Sequence, residues 1–175
     1  MENSNISGYF EYFMEKALEQ AEAAKKIGEA PIGCVITQNE KIIATGHNRR
    51  EIDQNALAHA EITAIKTACG KIGFWRLTDC DLYVTLEPCP MCAGAIINAR
   101  IRRVIFGASD PKSGAFGSVI NLNDYPFNHK PEIIGGVLEK KSGAMLSAFF
   151  SDLRKKQKKH NMEVLSCIET NGFPI

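Results

Sequence analysis

The order of predicted elements in this 175-residue sequence indicates an α/β fold: a three-layer α/β/α sandwich around a mixed central sheet of about five strands. Two observations support this prediction. A helix-like N-terminal stretch is followed by two apolar runs joined by a polar turn, as in a β-hairpin. After the hairpin, segments with helical periodicity alternate with short apolar segments, which is typical of helices that cover both faces of one sheet.

Four segments have the features of helices. In the first, apolar residues recur at spacings of three and four before Gly28, and the second is expected to end at Gly70, because glycine favours helix ends. The third follows two prolines, and the fourth is apolar early and basic late. The predicted helices are 9–27, 59–69, 92–99 and 142–159.

Short apolar runs bounded by turn residues predict the strands. They are 32–37, 41–45, 82–85 and 103–107, with a fifth candidate at 133–137 that could instead lead into the final helix. The segment 109–130 is rich in turn residues, and ordered loops of such length are uncommon and often functional. We expect one domain over residues 1–160, followed by a tail, 161–175, to which the sequence assigns no structure.

The composition excludes several classes of protein. Hydrophobic residues make up 45% and charged residues 23% of the chain, an ordinary balance for a soluble domain. The net charge of +1 gives no general preference for nucleic acids or membranes. No apolar run is long enough to span a bilayer, and the polar start lacks the core of a signal peptide, so we expect a cytoplasmic protein.

Two short segments carry the chemistry, His59-Ala60-Glu61 and Pro88-Cys89-Pro90-Met91-Cys92. Zinc accepts one imidazole and two thiolates as ligands, and three protein ligands leave its fourth tetrahedral position open for water. Pro90 disfavours helical geometry at Cys89 and suits the first helical position, so Cys89 should lie at a helix start with Cys92 one turn further on. The positive end of that helix favours the thiolate forms.

Glu61 is the spare carboxylate of the first segment. It lies two residues after His59, which places the two side chains about 200° apart around a regular helix. Glu61 is therefore better placed to carry protons than to act as a fourth ligand. The predicted site is a catalytic zinc with Glu61 as its proton carrier.

Other uses of these residues remain open at this point. A Cys-x-x-Cys motif can be a redox pair or half of a zinc ribbon, but a ribbon needs a second pair, and no other two cysteines are three apart. The six cysteines could form disulfides, although a reducing compartment favours metal binding. The basic run 154–159 is either a solvated helix end or a contact to nucleic acid.

The two segments match the H-x-E and P-C-x-x-C signature of the zinc-dependent nucleobase deaminases, which include the cytidine and deoxycytidylate deaminases. The sequence also resembles the family of bacterial tRNA-specific adenosine deaminases over about residues 9–159. Further motifs that carry this resemblance are Gly46-His47-Asn48, 87–96, 107–114, 127–129 and Phe149-Phe150. The resemblance implies a cytidine-deaminase-like fold, a single deaminase domain, a homodimer, and one zinc ion per chain held by His59, Cys89 and Cys92.

The resemblance also implies a reaction. The metal activates water for attack on C6 of adenine, Glu61 moves the protons, and inosine remains. By resemblance, Asn48 hydrogen-bonds the base, while Asp110 and Phe149 lie along the path of the flanking nucleotides. The implied substrate is an adenosine in a tRNA anticodon loop, at the wobble position. Two alternatives are a small-molecule deaminase acting on guanine or a cytosine nucleoside, and a zinc-bearing RNA-binding protein without turnover.

Overall fold

The computed structural model describes the backbone of residues 2–170 and the side chains of residues 8–162. This part of the chain contains one five-stranded sheet and four α-helices, which confirms the predicted α/β class and strand number. The helices are α1 (Glu2–Lys26), α2 (Ala60–Ile72), α3 (Pro90–Asn98) and α4 (Glu139–Thr170). The strands are β1 (Gly33–Gln38), β2 (Lys41–His47), β3 (Cys80–Leu86), β4 (Arg103–Ala108) and β5 (Glu132–Ile134).

The sheet is mixed, as predicted, with the strand order β2-β1-β3-β4-β5. The turn Asn39-Glu40 reverses the chain between β1 and β2, and both of its residues have positive φ (48° and 60°), as a two-residue hairpin loop requires. β1 also pairs antiparallel with β3. β3 pairs parallel with β4, and β4 pairs parallel with β5. Parallel neighbours need a crossover connection, and α3 supplies it between β3 and β4.

Neighbouring residues of the central strands face opposite layers of the sandwich. Val35, Tyr83 and Ile105 lie in register across β1, β3 and β4 and pack in one core with buried residues of α1. Cys34 and Val84 face the other side, in the larger core beneath α2 and α3. This alternation follows from the pleat, which directs successive side chains to opposite faces.

The helix α4 lies on the same side of the sheet as α1. It packs against β4, and Ser142 lies so close to Gly107 that a Cβ at position 107 would collide with it. Lys141 of α4 also forms an ion pair with Glu15 of α1. α1 and α4 therefore form one outer layer and α2 and α3 the other, which confirms the predicted three-layer sandwich.

The end of α2 differs from the prediction. The helix continues through Gly70 and ends at Gly73, whose φ of 75° is left-handed. The N–H of Gly73 bonds to the carbonyl of Cys69 and so satisfies one of the free carbonyls of the last turn. The prediction chose the wrong glycine because both stand where a helix could end, and only the backbone conformation separates them.

The final helix is longer than predicted. α4 begins at Glu139, three residues before the expected start, and stays helical to Thr170. Residues 161–170 of the predicted tail thus continue the helix, and residues 171–175 lie outside the described part of the chain. The domain boundary at residue 160 stays a prediction.

The fifth strand is short and is followed by the start of α4. β5 covers Glu132–Ile134, so the candidate segment 133–137 is a strand only at its beginning. The long loop predicted before it is present, with a single turn of 3-10 helix at Leu122–Asp124. Among the described residues, no helix combines the length and the hydrophobicity needed to cross a membrane.

Candidate active site

The two ligand segments occupy equivalent places in the fold, at the N-terminal ends of α2 and α3. His59 immediately precedes α2 (φ −77°, ψ 154°), and Cys89 immediately precedes α3 (φ −71°, ψ 169°), both with extended backbone. Pro90 lies at the start of α3, as predicted. Neither the imidazole nor the thiol caps its own helix, so both can face a common point.

The structure brings His59, Cys89 and Cys92 together. Nδ1 of His59 lies 3.7 Å from Sγ of Cys89 and 3.5 Å from Sγ of Cys92, and the three ligand atoms all lie within 4.8 Å of one another. A tetrahedral zinc with its usual bond lengths to nitrogen and sulfur would separate such atoms by about 3.6 Å. Cys92 is buried and the other two residues are half-buried, so donor set, spacing and partial exposure all fit a metal ion.

The two thiols are electrostatically unequal. A hydrogen bond from the Cys92 thiol lowers the pKa of Cys89 to about 4; His59 adds to this effect and burial opposes it. The same hydrogen bond, followed by burial, raises the pKa of Cys92. In this arrangement the Cys92 thiol keeps its proton as the donor to Cys89. A cation that displaces this proton gains both thiolates as ligands.

Glu61 lies in the first turn of α2 and outside the group of three ligands. Its side chain is 3% exposed, and Oε2 has no hydrogen-bond partner among the described residues. Burial raises the pKa of Glu61, and its own backbone N–H and then His59 oppose that shift in part. A buried carboxylate with an unpaired oxygen is suited to binding and releasing a proton.

Asn48 follows β2 directly and lies beside the start of α2. Gly46 packs so closely on α2 that a Cβ at this position would collide with the helix backbone. The N–H of Arg49 donates to the carbonyl of Ala58 at 3.0 Å, which ties the residue after Asn48 to the residue before His59. This hydrogen bond connects the backbone beside Asn48 to the backbone beside His59, while the contact of Asn48 with a base stays a prediction.

Glu29 is a neighbour of Asn48 that the sequence analysis did not identify. It is 1% exposed, and its Oε2 accepts a hydrogen bond from Nδ2 of Asn48 at 2.9 Å. Its Oε1 accepts from the N–H of Ile52 at 2.7 Å. An isolated glutamate just after a helix is usually exposed, so no local pattern marks this one as buried.

Glu87 organises the loop that follows β4, a role that the sequence analysis also missed. Its carboxylate is 2% exposed and accepts hydrogen bonds from the N–H groups of Asp110 (3.1 Å), Phe116 (3.0 Å) and Ser118 (3.1 Å) and from the Ser118 hydroxyl. Burial raises the pKa of Glu87, but the hydrogen bonds outweigh burial and the net shift is downward. The only sequence signal was its place directly before the second ligand segment.

Asp110 shapes the turn that it begins. Its Oδ1 accepts from the N–H of Lys112 at 2.9 Å, and its Oδ2 accepts from the hydroxyl of Ser113 at 2.6 Å. The N–H of Ala115 donates to the carbonyl of Pro88 at 2.9 Å, which attaches this loop to the second ligand segment. The fold thus brings Asp110 near the site, while its contact with a nucleotide stays a prediction.

Phe149 and the basic run 154–159 both lie on α4. The Phe149 ring is half-buried and meets Phe150 edge-on, with ring centroids 5.4 Å apart. Every residue from 152 to 160 is exposed. The structure therefore places the basic run on a helix surface, which agrees with both interpretations of it, and the role of Phe149 beside a nucleotide stays a prediction.

A family model described as MafB19-like deaminase matches residues 9–154. With the α/β/α fold and the His-Cys-Cys group, this match defines the class of protein as a deaminase, from a family that depends on zinc. The chain is 52% identical to the tRNA-specific adenosine deaminase of Bacillus subtilis, over 85% of this chain and 92% of that relative. It is 44% identical to the tRNA-specific adenosine deaminase of Haemophilus influenzae, over 87% and 89% of the two chains. The chain belongs to the tRNA-specific adenosine deaminase family.

Solved structures are similar as well. One comes from a study of A-to-I editing by tRNA:A34 deaminases at the wobble position of transfer RNA. Its TM-score is 0.75 and its sequence identity is 45%, and the match covers 77% of this chain and 99% of that chain. The guanine deaminase of Bacillus subtilis has a TM-score of 0.55 and 32% identity, covering 67% and 86% of the two chains. The guanine deaminase alternative thus shares the fold at lower similarity.

Proposed function

We propose that this chain hydrolyses the 6-amino group of an adenosine in a tRNA anticodon loop, at the wobble position, and leaves inosine. The observation that carries the proposal is the His59, Cys89 and Cys92 group beside the buried carboxylate of Glu61, one oxygen of which is unpaired. The names of relatives at 44–52% identity support the substrate class. The cytidine-deaminase-like signature alone would leave guanine and cytosine nucleosides open.

The metal is proposed to be one zinc ion per chain, with His59, Cys89 and Cys92 as its ligands. The Nδ1–Sγ distances of 3.5 and 3.7 Å and the two thiols favour zinc over cations that prefer oxygen ligands. When bound, zinc supplies a Lewis acid that makes water a nucleophile near neutral pH. The three side chains hold this centre at the helix starts, where the backbone N–H groups favour negative ligands.

Glu61 is proposed to move every proton of the reaction. It accepts one proton of the attacking water and gives it to N1 of the ring; it then takes the proton of the new C6 hydroxyl and gives it to the departing amino group, so that adenosine and water become inosine and ammonia. Its burial keeps bulk water away from these transfers.

The remaining site residues are proposed to bind RNA. Asn48 hydrogen-bonds the unstacked base, and Asp110 and Phe149 line the path of the flanking nucleotides. A base in a loop costs less to unstack than one in a duplex, which suits an enzyme that must extract its target. The exposed basic run 154–159 is proposed to contact phosphates.

Three further features are part of the proposal, of which the homodimer rests on the family resemblance. The deaminase domain covers residues 1–160, the chain forms a homodimer, and the enzyme works in the cytoplasm with tRNA as its partner. Exposed apolar side chains near α2, among them Leu57 (57%), Phe74 (50%) and Trp75 (47%), agree with burial in a dimer.

The deciding experiment compares a short anticodon stem-loop with free nucleosides. Inosine formation is followed in a stem-loop with adenosine at the wobble position, and ammonia release is followed with adenosine, cytidine and guanine. A stem-loop with guanosine at that position is the matched control. We expect turnover of the adenosine stem-loop only. Fast turnover of guanine or cytidine with an unchanged stem-loop would establish the small-molecule alternative, and RNA binding without any turnover would establish the binding-protein alternative.

A further inference from the structure

Glu29 is a buried carboxylate that the proposed mechanism does not use. It follows α1, and its N–H donates to the carbonyl of Ala24 at 3.0 Å, so its backbone is fixed by the end of that helix. The residue is 1% exposed, and both carboxylate oxygens accept hydrogen bonds, from Nδ2 of Asn48 (2.9 Å) and from the N–H of Ile52 (2.7 Å). A buried charge of this kind persists only when such partners compensate its lost hydration.

The carboxylate dictates which way the Asn48 amide faces. A carboxylate offers only acceptors to these two donors, so the NH2 group of Asn48 must point at Glu29 and its carbonyl oxygen must point away. With any neutral neighbour that can both donate and accept, the amide could rotate by half a turn and exchange its oxygen and nitrogen. Glu29 thus fixes the hydrogen-bonding polarity that Asn48 presents on its other side.

The same carboxylate also holds the loop that links Asn48 to the metal-ligand group. Ile52 lies in the segment between β2 and α2, and this segment returns to the site through the hydrogen bond from Arg49 to Ala58. Arg49 and Asp53 close the segment with an ion pair of 2.8 Å. One buried group therefore fixes both the amide of Asn48 and the loop that carries it.

We propose that Glu29 is a positioning residue for base recognition, which acts through Asn48 by holding its carbonyl oxygen toward the base. The inference rests on the proposed role of Asn48 as a base contact. Glu29 touches neither the metal-ligand group nor the base in this account. Its substitution should therefore affect substrate selection and leave metal content unchanged.

The test is a double-mutant cycle with Glu29→Gln, Asn48→Ala and the combined variant. The glutamine side chain has one acceptor for two donors, and its own NH2 group would let the amide of Asn48 rotate. We expect Glu29→Gln to lower kcat/KM about tenfold or more, the scale of a buried hydrogen bond to a charged group, mainly through KM. In the Asn48→Ala background, Glu29→Gln should change kcat/KM little further, because the amide through which Glu29 acts on the base is absent. Glu22→Gln, at a partly exposed glutamate of α1 that pairs with Lys25, is the control.

Zinc content and thermal unfolding are measured for every variant, so that kcat/KM refers to folded, metal-loaded protein. Full additivity of the two substitutions would overturn the inference, as would a loss of stability with unchanged kcat/KM. An unchanged kcat/KM in Asn48→Ala would remove Asn48 from base recognition and Glu29 with it. If Glu29→Gln does not fold, Glu29→Asp enters the same cycle, since its shorter side chain cannot reach both partners.

The cycle uses whichever substrate the wild-type protein turns over, the adenosine stem-loop or a free base. Failure of the tRNA assignment is then seen in the wild type alone. Failure of the Glu29 role is seen in the cycle alone, so the two results are distinguishable.

Discussion

Two buried glutamates stand at matching positions beside the metal-ligand group, and their surroundings are opposite. Glu61 lies two residues after His59, and Glu87 lies two residues before Cys89. Their exposure is nearly equal, 3% and 2%. Glu87 accepts four hydrogen bonds from the loop after β4, whereas Oε2 of Glu61 has no partner among the described residues. Accordingly, the pKa of Glu87 is lowered and that of Glu61 is raised.

The difference shows that burial alone does not reveal what a carboxylate does. Donors around Glu87 stabilise its charged form, so it stays an anion and holds the loop in place. Burial acts on Glu61 with only partial compensation, from its own backbone N–H and then from His59, so the net shift of its pKa is upward. A group that must accept and release protons benefits from such a shift, and a structural anchor does not.

The largest expected effect comes from replacing one ligand of the metal-ligand group that lies between Glu61 and Glu87. Cys89→Ser should lose both zinc and activity, because a hydroxyl is a poor, protonated ligand at neutral pH. Metal analysis of protein purified without added zinc should give about one ion per wild-type chain and close to none in the variant. Cys69→Ser, outside the ligand group, should keep both properties. A wild type without zinc, or with a second equivalent of iron, would contradict the assignment.

The next effect tests the Glu61 side of the comparison. Glu61→Ala should keep fold and zinc but lose turnover by a factor of about 10² to 10⁴, and more if one group serves several proton transfers. Single-turnover kinetics on the adenosine stem-loop measure this loss, with zinc content determined on the same sample. A variant that loses its zinc would show instead that Glu61 is a ligand, and the proton-carrier role would be wrong.

A smaller effect compares the two glutamates directly by stability. Glu87→Gln replaces an acceptor with a donor facing the N–H groups of the loop and should lower the free energy of unfolding by about 1–3 kcal/mol. Glu61→Gln changes a carboxylate with fewer hydrogen-bond partners among the described residues and should lower it by less. Chemical denaturation of the zinc-loaded variants measures both. Equal destabilisation by the two substitutions would break the comparison, because it would mean that Glu61 is held by its surroundings as Glu87 is.

The smallest effect concerns charges on exposed side chains rather than buried ones. If Lys155, Lys156, Lys158 and Lys159 contact phosphates, the logarithm of RNA affinity should fall with the logarithm of salt concentration at roughly −0.7 per contact. Neutralising these four residues should flatten the slope and leave zinc content and folding unchanged. Binding of the stem-loop at several salt concentrations measures it. An unchanged slope would assign the run to a solvated helix end.

Local sequence patterns predicted much of the site. The extended residue before Pro90, the helix that follows it and the turn between Cys89 and Cys92 are set within a few residues, by restrictions that proline places on its neighbours and on its own φ. The start of α2 was predicted to within one residue, at His59, from the inward apolar residues of that segment. The sandwich and its mixed sheet followed from the alternation of periodicities along the chain.

Tertiary structure determined which hydrogen-bond partners surround the buried carboxylates. Glu29 meets Asn48 across 19 residues, and Glu87 meets Ser118 across 31. Such partners are brought together only when β2, β3 and β4 take their places in one sheet, so no spacing along the chain records them. The sequence alone determined which residues could bind a metal and carry a proton. The fold determined which glutamate is anchored and which is left unpaired, because that depends on donors that arrive from distant segments.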